Sequence, residues 1–91
     1  MLFAVPNGGY RNAREAARMK AEGVVPGVAD VILLIARGKY NALCIEFKTK
    51  KGRQTKLQKI WQQHAEIHGC KYIIVRSTEE FIAQVKEYLS L

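Results

Sequence analysis

The stretch Val28-Ala29-Asp30-Val31-Ile32-Leu33-Leu34-Ile35-Ala36, Arg37-Gly38-Lys39, Tyr40-Asn41-Ala42-Leu43-Cys44-Ile45-Glu46-Phe47-Lys48-Thr49-Lys50 reads as two strands joined by a short turn. Val28 to Ala36 is a dense β-branched and aliphatic run, the mark of a buried strand. Arg37-Gly38-Lys39 supplies the turn, and Tyr40 to Lys50 forms the second strand. With Gly38 as the pivot of an antiparallel hairpin, Asp30 faces Glu46 and Val28 faces Lys48. Opposed residues share one face of a sheet, with Cβ atoms roughly 4.5–5.5 Å apart. Glu46 and Lys48, two apart on one strand, point the same way. A bulge would shift this register.

Upstream, Leu2 to Val5 is a short apolar run that stops at the turn-forming Pro6-Asn7-Gly8-Gly9. A helix fits Asn12 to Glu22, with Asn12 as N-cap and Gly23 as its stop. Val24 to Gly27 connects it to the first long strand. Downstream, Lys50 to Lys56 is a polar, basic loop. Leu57, Ile60, Trp61, His64 and Ile67 recur at helical spacing and predict a helix from about Thr55 to His68, ended by Gly69. Lys71 to Val75 is another strand. Ser77-Thr78-Glu79-Glu80 has the form of a capping box, and Phe81, Ile82, Val85, Tyr88 and Leu89 give a final amphipathic helix. The order β-α-β-β-α-β-α describes an α/β domain, a mixed sheet with helices packed on it. With 91 residues the expectation is one domain spanning 1–91. So small a domain has a modest core, which favours association with a second subunit.

The net charge is +7, from 15 basic and 8 acidic residues. An excess of that size points to an acidic partner, with nucleic acid the first candidate. No apolar run approaches the roughly 18 residues needed to span a bilayer, and the N-terminus lacks a signal-peptide pattern. The expectation is a soluble intracellular protein without a membrane partner. Cys44 and Cys70 sit in apolar strand patterns and read as buried reduced thiols. No Cys/His spacing suggests zinc.

The chemistry gathers on the two central strands. Two carboxylates about 5 Å apart repel by roughly 3 kcal/mol at an effective dielectric of about 20. A divalent cation reverses that sign, and hard oxygen ligands suit Mg²⁺ or Mn²⁺. Metal-bound water is a better nucleophile, and Lys48 is placed to orient it. The plainer alternative is a salt bridge from Lys48 to one carboxylate at a strand end. Against it, Asp30 is the only aspartate and opens an apolar strand, while Glu46 lies between Ile45 and Phe47. Strands disfavour Asp, and near-buried charges need partners.

Asp30 followed by Ile45-Glu46-Phe47-Lys48 resembles the D…(D/E)xK signature of the PD-(D/E)xK nuclease superfamily. The wider text is more specific. Pro6-Asn7-Gly8-Gly9, Arg11, Ala17-Arg18-Met19-Lys20-Ala21-Glu22-Gly23, Pro26-Gly27-Val28-Ala29-Asp30 and Gln58-Lys59-Ile60-Trp61 resemble, in that order, the VRR-NUC family of virus-type replication and repair nucleases. The resemblance implies a restriction-endonuclease-like core and a Mg²⁺- or Mn²⁺-dependent, structure-selective DNA endonuclease. Asp30 and Glu46 would be metal ligands with the Phe47 carbonyl, Lys48 would handle the nucleophilic water, and Gln58 would lie near the active site. It further implies a Holliday-junction-resolvase-like homodimer acting on branched DNA in the cytoplasm of a bacterial or phage-infected cell. Two positions depart from the family's usual text. Ala29 stands where Pro is usual. The chain also begins almost at the Pro6 segment, without the acidic helix many members carry before it, so one metal is expected in this cluster.

Other residues carry two readings each. Arg11, Arg14 and Arg18 form a basic stripe that suits an anion or is simply a solvated helix face. Lys50, Lys51, Arg53 and Lys56 either grip phosphates or make an ordinary basic loop. Asn7, Gly8 and Gly9 either bring backbone N–H groups to DNA or form a plain turn. Gln58 completes a Thr55-x-x-Gln58 capping box or serves the site, and the two are compatible. His64 and His68 read as packed or interfacial, and Trp61 and Tyr88 as core or dimer contacts. The competing function is a non-catalytic nucleic-acid-binding module on the same fold.

Overall fold

The computed structural model describes residues 1–5 and 27–91. A four-stranded sheet runs in the order β1 (Leu2–Ala4), β2 (Val31–Leu33), β3 (Leu43–Phe47), β4 (Lys71–Val75). The first two pairings are antiparallel and β3–β4 is parallel, so the sheet is mixed. Helix α1 (Lys56–Ile67) carries the chain from β3 to β4, and α2 (Thr78–Leu89) follows β4. The helix expected over Asn12 to Glu22 lies outside the described residues.

The paired strands are shorter than the apolar runs suggest, and each end has a cause. Val31, Ile32 and Leu33 pair with Ile45, Cys44 and Leu43, the register that sets Asp30 against Glu46. The ladder stops there because an Asp30 side-chain oxygen, Oδ2, accepts the Phe47 N–H at 2.8 Å. The next amide, Lys48 N–H, points the other way, to Val75 O. A carboxylate thus stands where the main-chain acceptor of β2 would be. Toward the turn, Arg37 pairs with Tyr40 around a two-residue tip, Gly38-Lys39. Four steps separate Leu33 from Arg37, but three separate Tyr40 from Leu43. One extra residue on the β2 arm bulges there. Gly38 is left-handed (φ 54°), as such a tip requires. Continued without that extra residue, the tip pairing would set Asp30 against Phe47, so the bulge is what brings Asp30 opposite Glu46. β3 ends at Phe47 because Thr49 to Gly52 turns, with Gly52 N–H on Thr49 O at 3.1 Å.

Period-two alternation sends odd and even residues to different layers. Leu33, Leu43, Ile45 and Val75 pack with Tyr88 of α2, with Phe81 and Val85 alongside. Cys44 and Tyr72 face Ala65 of α1, with Ile32, Trp61 and Ile74 around them. Glu46, on the same strand as Cys44 and two residues on, belongs to the α1 layer. The α1 stripe is only partly covered. Ala65 is buried and Trp61 half-buried, but Leu57, Ile60 and Ile67 are 52%, 43% and 77% exposed. His64 and His68 are exposed rather than packed. Cys44 is buried and Cys70 half-buried, both free thiols. Tyr88 is fully buried and belongs to the core. Ser77 caps α2 by accepting the Glu80 N–H, but Glu80 reaches the Arg76 N–H at 3.2 Å instead of Ser77, so the capping box is half-formed.

Candidate functional site

Each carboxylate is carried by a strand end. Asp30 enters β2 half-buried, its Oδ2 held by Phe47 N–H. Glu46 is the penultimate residue of β3 and is 1% exposed. A buried carboxylate needs donors on its oxygens, and Glu46 has them on both. Gln58 Nε2 donates to Oε1 and Tyr72 Oη donates to Oε2, each at 3.1 Å.

Gln58 does two things with one amide. Its Oε1 accepts the Thr55 N–H at 2.8 Å while Thr55 Oγ1 accepts the Gln58 N–H, a complete capping box at the start of α1. Its Nε2 meanwhile holds Glu46. An acceptor facing N–H and a donor facing carboxylate fix which end of the amide is which. One side chain therefore both completes the cap of α1 and contacts Glu46.

Tyr72 carried no signal in the sequence beyond that of a strand aromatic. It packs against Trp61 of α1, ring centroids 6.0 Å apart. Burial pushes its phenol above the ordinary tyrosine range, with a hydrogen bond to Gln54 acting the other way and the Glu46 charge adding to the rise. It therefore stays protonated and donates. Gln54 in turn donates to Gln62 at 2.8 Å, so a polar chain leads from α1 through Tyr72 to Glu46.

The Glu46 carboxyl is pushed up from 4.5 to about 7. Burial is the largest cause, followed by a hydrogen bond to Asp30 and the Asp30 charge. The Tyr72 hydrogen bond and the Lys48 charge pull it back. The Asp30 carboxylate thus opposes the ionisation of Glu46. Asp30, Glu46, Phe47, Lys48, Thr55, Leu57, Gln58 and Gly27 line one cleft of about 520 Å³. Gly27 has φ 83°, and a Cβ there would come within 2.6 Å of Leu57 O. Only glycine lets the approach to β2 lie against the first turn of α1.

The VRR-NUC domain model matches residues 6–79. The chain belongs to the VRR-NUC domain family. A solved structure described as a VRR_NUC domain protein is similar with a TM-score of 0.84 and 28% identity, covering 99% of this chain and 68% of that one. No curated protein matches the chain. The α/β fold with its mixed sheet is thereby shown, and the family is of nuclease type, a class that binds DNA and typically uses divalent metal ions.

Around the cleft of this VRR-NUC domain, Lys50, Lys51, Arg53 and Lys56 are all exposed. Lys48 is half-buried within it. Asn7, Gly8, Gly9, Arg11, Arg14 and Arg18 lie outside the described residues. Among the described residues no group of three or more His, Cys, Asp or Glu is arranged to hold a metal, and no helix is long and apolar enough to cross a membrane. A second residue without sequence signal is Arg76. Its Nη1 donates to Thr49 O at 2.6 Å, Gly52 O at 2.8 Å and, more weakly, Lys50 O at 3.4 Å.

Proposed function

We propose that this protein is a Mg²⁺- or Mn²⁺-dependent endodeoxyribonuclease that cleaves branched DNA, such as four-way junctions, as a homodimer in the cytoplasm of a bacterial or phage-infected cell. The observation that carries this reading is the meeting of Asp30 and Glu46 in one cleft, close enough that Asp30 helps hold the Glu46 carboxyl above its ordinary value.

The donor set fits such an ion. Two carboxylates are hard ligands, and Mg²⁺ commonly takes one or two of them plus water and substrate phosphate. Asp30 and Glu46 would hold one ion with the Phe47 carbonyl. When bound, the ion neutralises phosphate charge and acidifies water. The remaining work falls to the chain. Gln58 and Tyr72 fix the plane of the Glu46 carboxylate from opposite oxygens. Lys48 contributes positive charge at the cleft and orients the attacking water. Lys50, Lys51, Arg53 and Lys56 grip flanking phosphates, as would Arg11, Arg14, Arg18 and the Asn7-Gly8-Gly9 backbone. Homodimerisation draws support from the small size of the domain and the two-fold symmetry of a junction.

Labelled junctions, flaps, duplexes and single strands incubated with and without Mg²⁺ or Mn²⁺ test this reading. Symmetric, metal-dependent junction cuts are expected, lost by about 10²–10⁴-fold in Asp30→Ala and Lys48→Ala. Tight binding without cleavage under either metal would leave a non-catalytic binding module. A monomeric mass at working concentration would remove the dimer.

Tyr72→Phe deletes one donor and little volume. Outer-shell donors of this kind are commonly worth about 10- to 100-fold in metal affinity. Calorimetric titration with Mn²⁺ should show a loss of about tenfold at the low end of that range. Unchanged affinity would mean Gln58 alone holds Glu46.

A further inference from the structure

The turn Thr49-Lys50-Lys51-Gly52 follows Lys48 directly, so its place decides what lies beside the cleft. Both central residues are exposed lysines. Such a tip is unfavourable by itself, since adjacent ammonium groups repel. Its internal tie is the Gly52 N–H on Thr49 O. Its external tie is Arg76, at the junction of β4 and α2, whose Nη1 gathers the carbonyls of Thr49, Lys50 and Gly52. The turn is also tight from beneath, because a Cβ on Gly52 would stand 3.0 Å from Thr49 Oγ1 and 3.5 Å from Lys48 Cβ.

The choice of anchor matters. A carboxylate could have tied down the lysines, and would have cancelled their charge. Arg76 instead binds carbonyl dipoles and adds its own charge. Among the described residues no ion pair joins Lys50, Lys51, Arg53 or Arg76 to a carboxylate. The main chain of the turn is thus held without an ion pair on Lys50 or Lys51, while the Glu80 carboxylate is engaged by the Arg76 main-chain N–H, and both exposed ammonium groups are left for a phosphodiester backbone. Arg76 is far from Lys50 in sequence but fixes its main chain. We infer that Arg76 is a positioning residue for DNA: it holds the Thr49–Gly52 turn so that Lys50 and Lys51 grip the phosphates next to the scissile one. This deepens the nuclease reading of the cleft and rests on it.

The test is DNA binding without metal, so that chemistry does not intrude. Labelled duplex and junction are titrated over a range of salt with the parent chain, Arg76→Met, Arg76→Lys and Lys50→Ala/Lys51→Ala, alone and combined. A residue that touches one phosphate lowers the log–log salt slope by about 0.9 on duplex DNA. Arg76→Met is expected to lower it by about 1.8, the share of two lysines. Adding Lys50→Ala/Lys51→Ala in that background should then change little, because coupled residues are non-additive. Arg76→Lys keeps the charge but not the planar fork, and should fall between parent and Arg76→Met. Hydrogen exchange at the Gly52 amide should quicken in Arg76→Met without DNA. Additive losses, or Arg76→Lys equal to the parent, would overturn the proposal, since charge alone would then suffice. Failure of the parent to bind any DNA would fall on the nuclease reading. Unchanged Gly52 exchange would then still overturn the role of Arg76.

Discussion

Glu46→Gln is expected to abolish cleavage and at the same time stabilise the metal-free protein above neutral pH. The Glu46 carboxyl has its folded value raised from 4.5 to about 7. The folded chain therefore binds a proton more tightly than the unfolded one. That contribution is fully present below the ordinary carboxylate value and is lost as pH rises through about 7. The shift corresponds to roughly 3 kcal/mol, an upper figure because the denatured chain is not fully solvated. Urea unfolding with chelator at about pH 5 and about pH 8 should show the parent weakening between them, while Glu46→Gln stays level. Gln at this position keeps one oxygen to accept from Gln58 Nε2 and turns its amide N–H toward Tyr72 Oη, which must then accept where it had donated. Added Mn²⁺ should restore the parent at high pH by mass action and leave Glu46→Gln unaffected. A parent whose stability is flat over this range would show that Glu46 ionises freely in the fold.

Tyr88→Ala is expected to remove a large share of the stability of the domain. Tyr88 is fully buried among Leu33, Leu43, Ile45 and Val75. Its hydroxyl donates to Ile35 O at 2.6 Å, fastening α2 to the strand arm beyond β2. Large aromatic truncations of this kind cost about 3–5 kcal/mol, against a total of roughly 5–15 kcal/mol for a domain. Tyr88→Phe keeps the packing and leaves a carbonyl without its donor, which costs about 1–3 kcal/mol. Thermal melts of the two variants separate the contributions. Equal melting temperatures would mean that the hydroxyl carries the whole effect.

Much of the site can be read in the sequence because a hairpin converts spacing into geometry. A pivot at Gly38 pairs Asp30 with Glu46, and the pairs Val31–Ile45, Ile32–Cys44 and Leu33–Leu43 keep that register, although the tip itself is Gly38-Lys39 and the bulge makes up the one-residue difference. The bulge next to the tip is invisible in the apolar pattern, since both arms stay apolar through it. Thr55 and Gln58 are legible because a capping box is a local motif. Tyr72 and Arg76 act on partners 26 and 27 residues away, and their neighbours in sequence say nothing of those partners. The helix spacing over Leu57, Ile60 and Ile67 correctly marks α1 but not its burial, because periodicity gives a face and not what covers it.

Gln58 closes the first turn of α1 and holds Glu46 with the two ends of the same amide. Helix ends are where helices open first, on a scale well below global unfolding. Each brief fraying of that turn must therefore release one oxygen of Glu46. The rate at which the cleft loses its geometry is then the opening rate of a single helical turn, so a sturdier cap at Thr55 would lengthen the life of the assembled site without touching any residue that meets DNA.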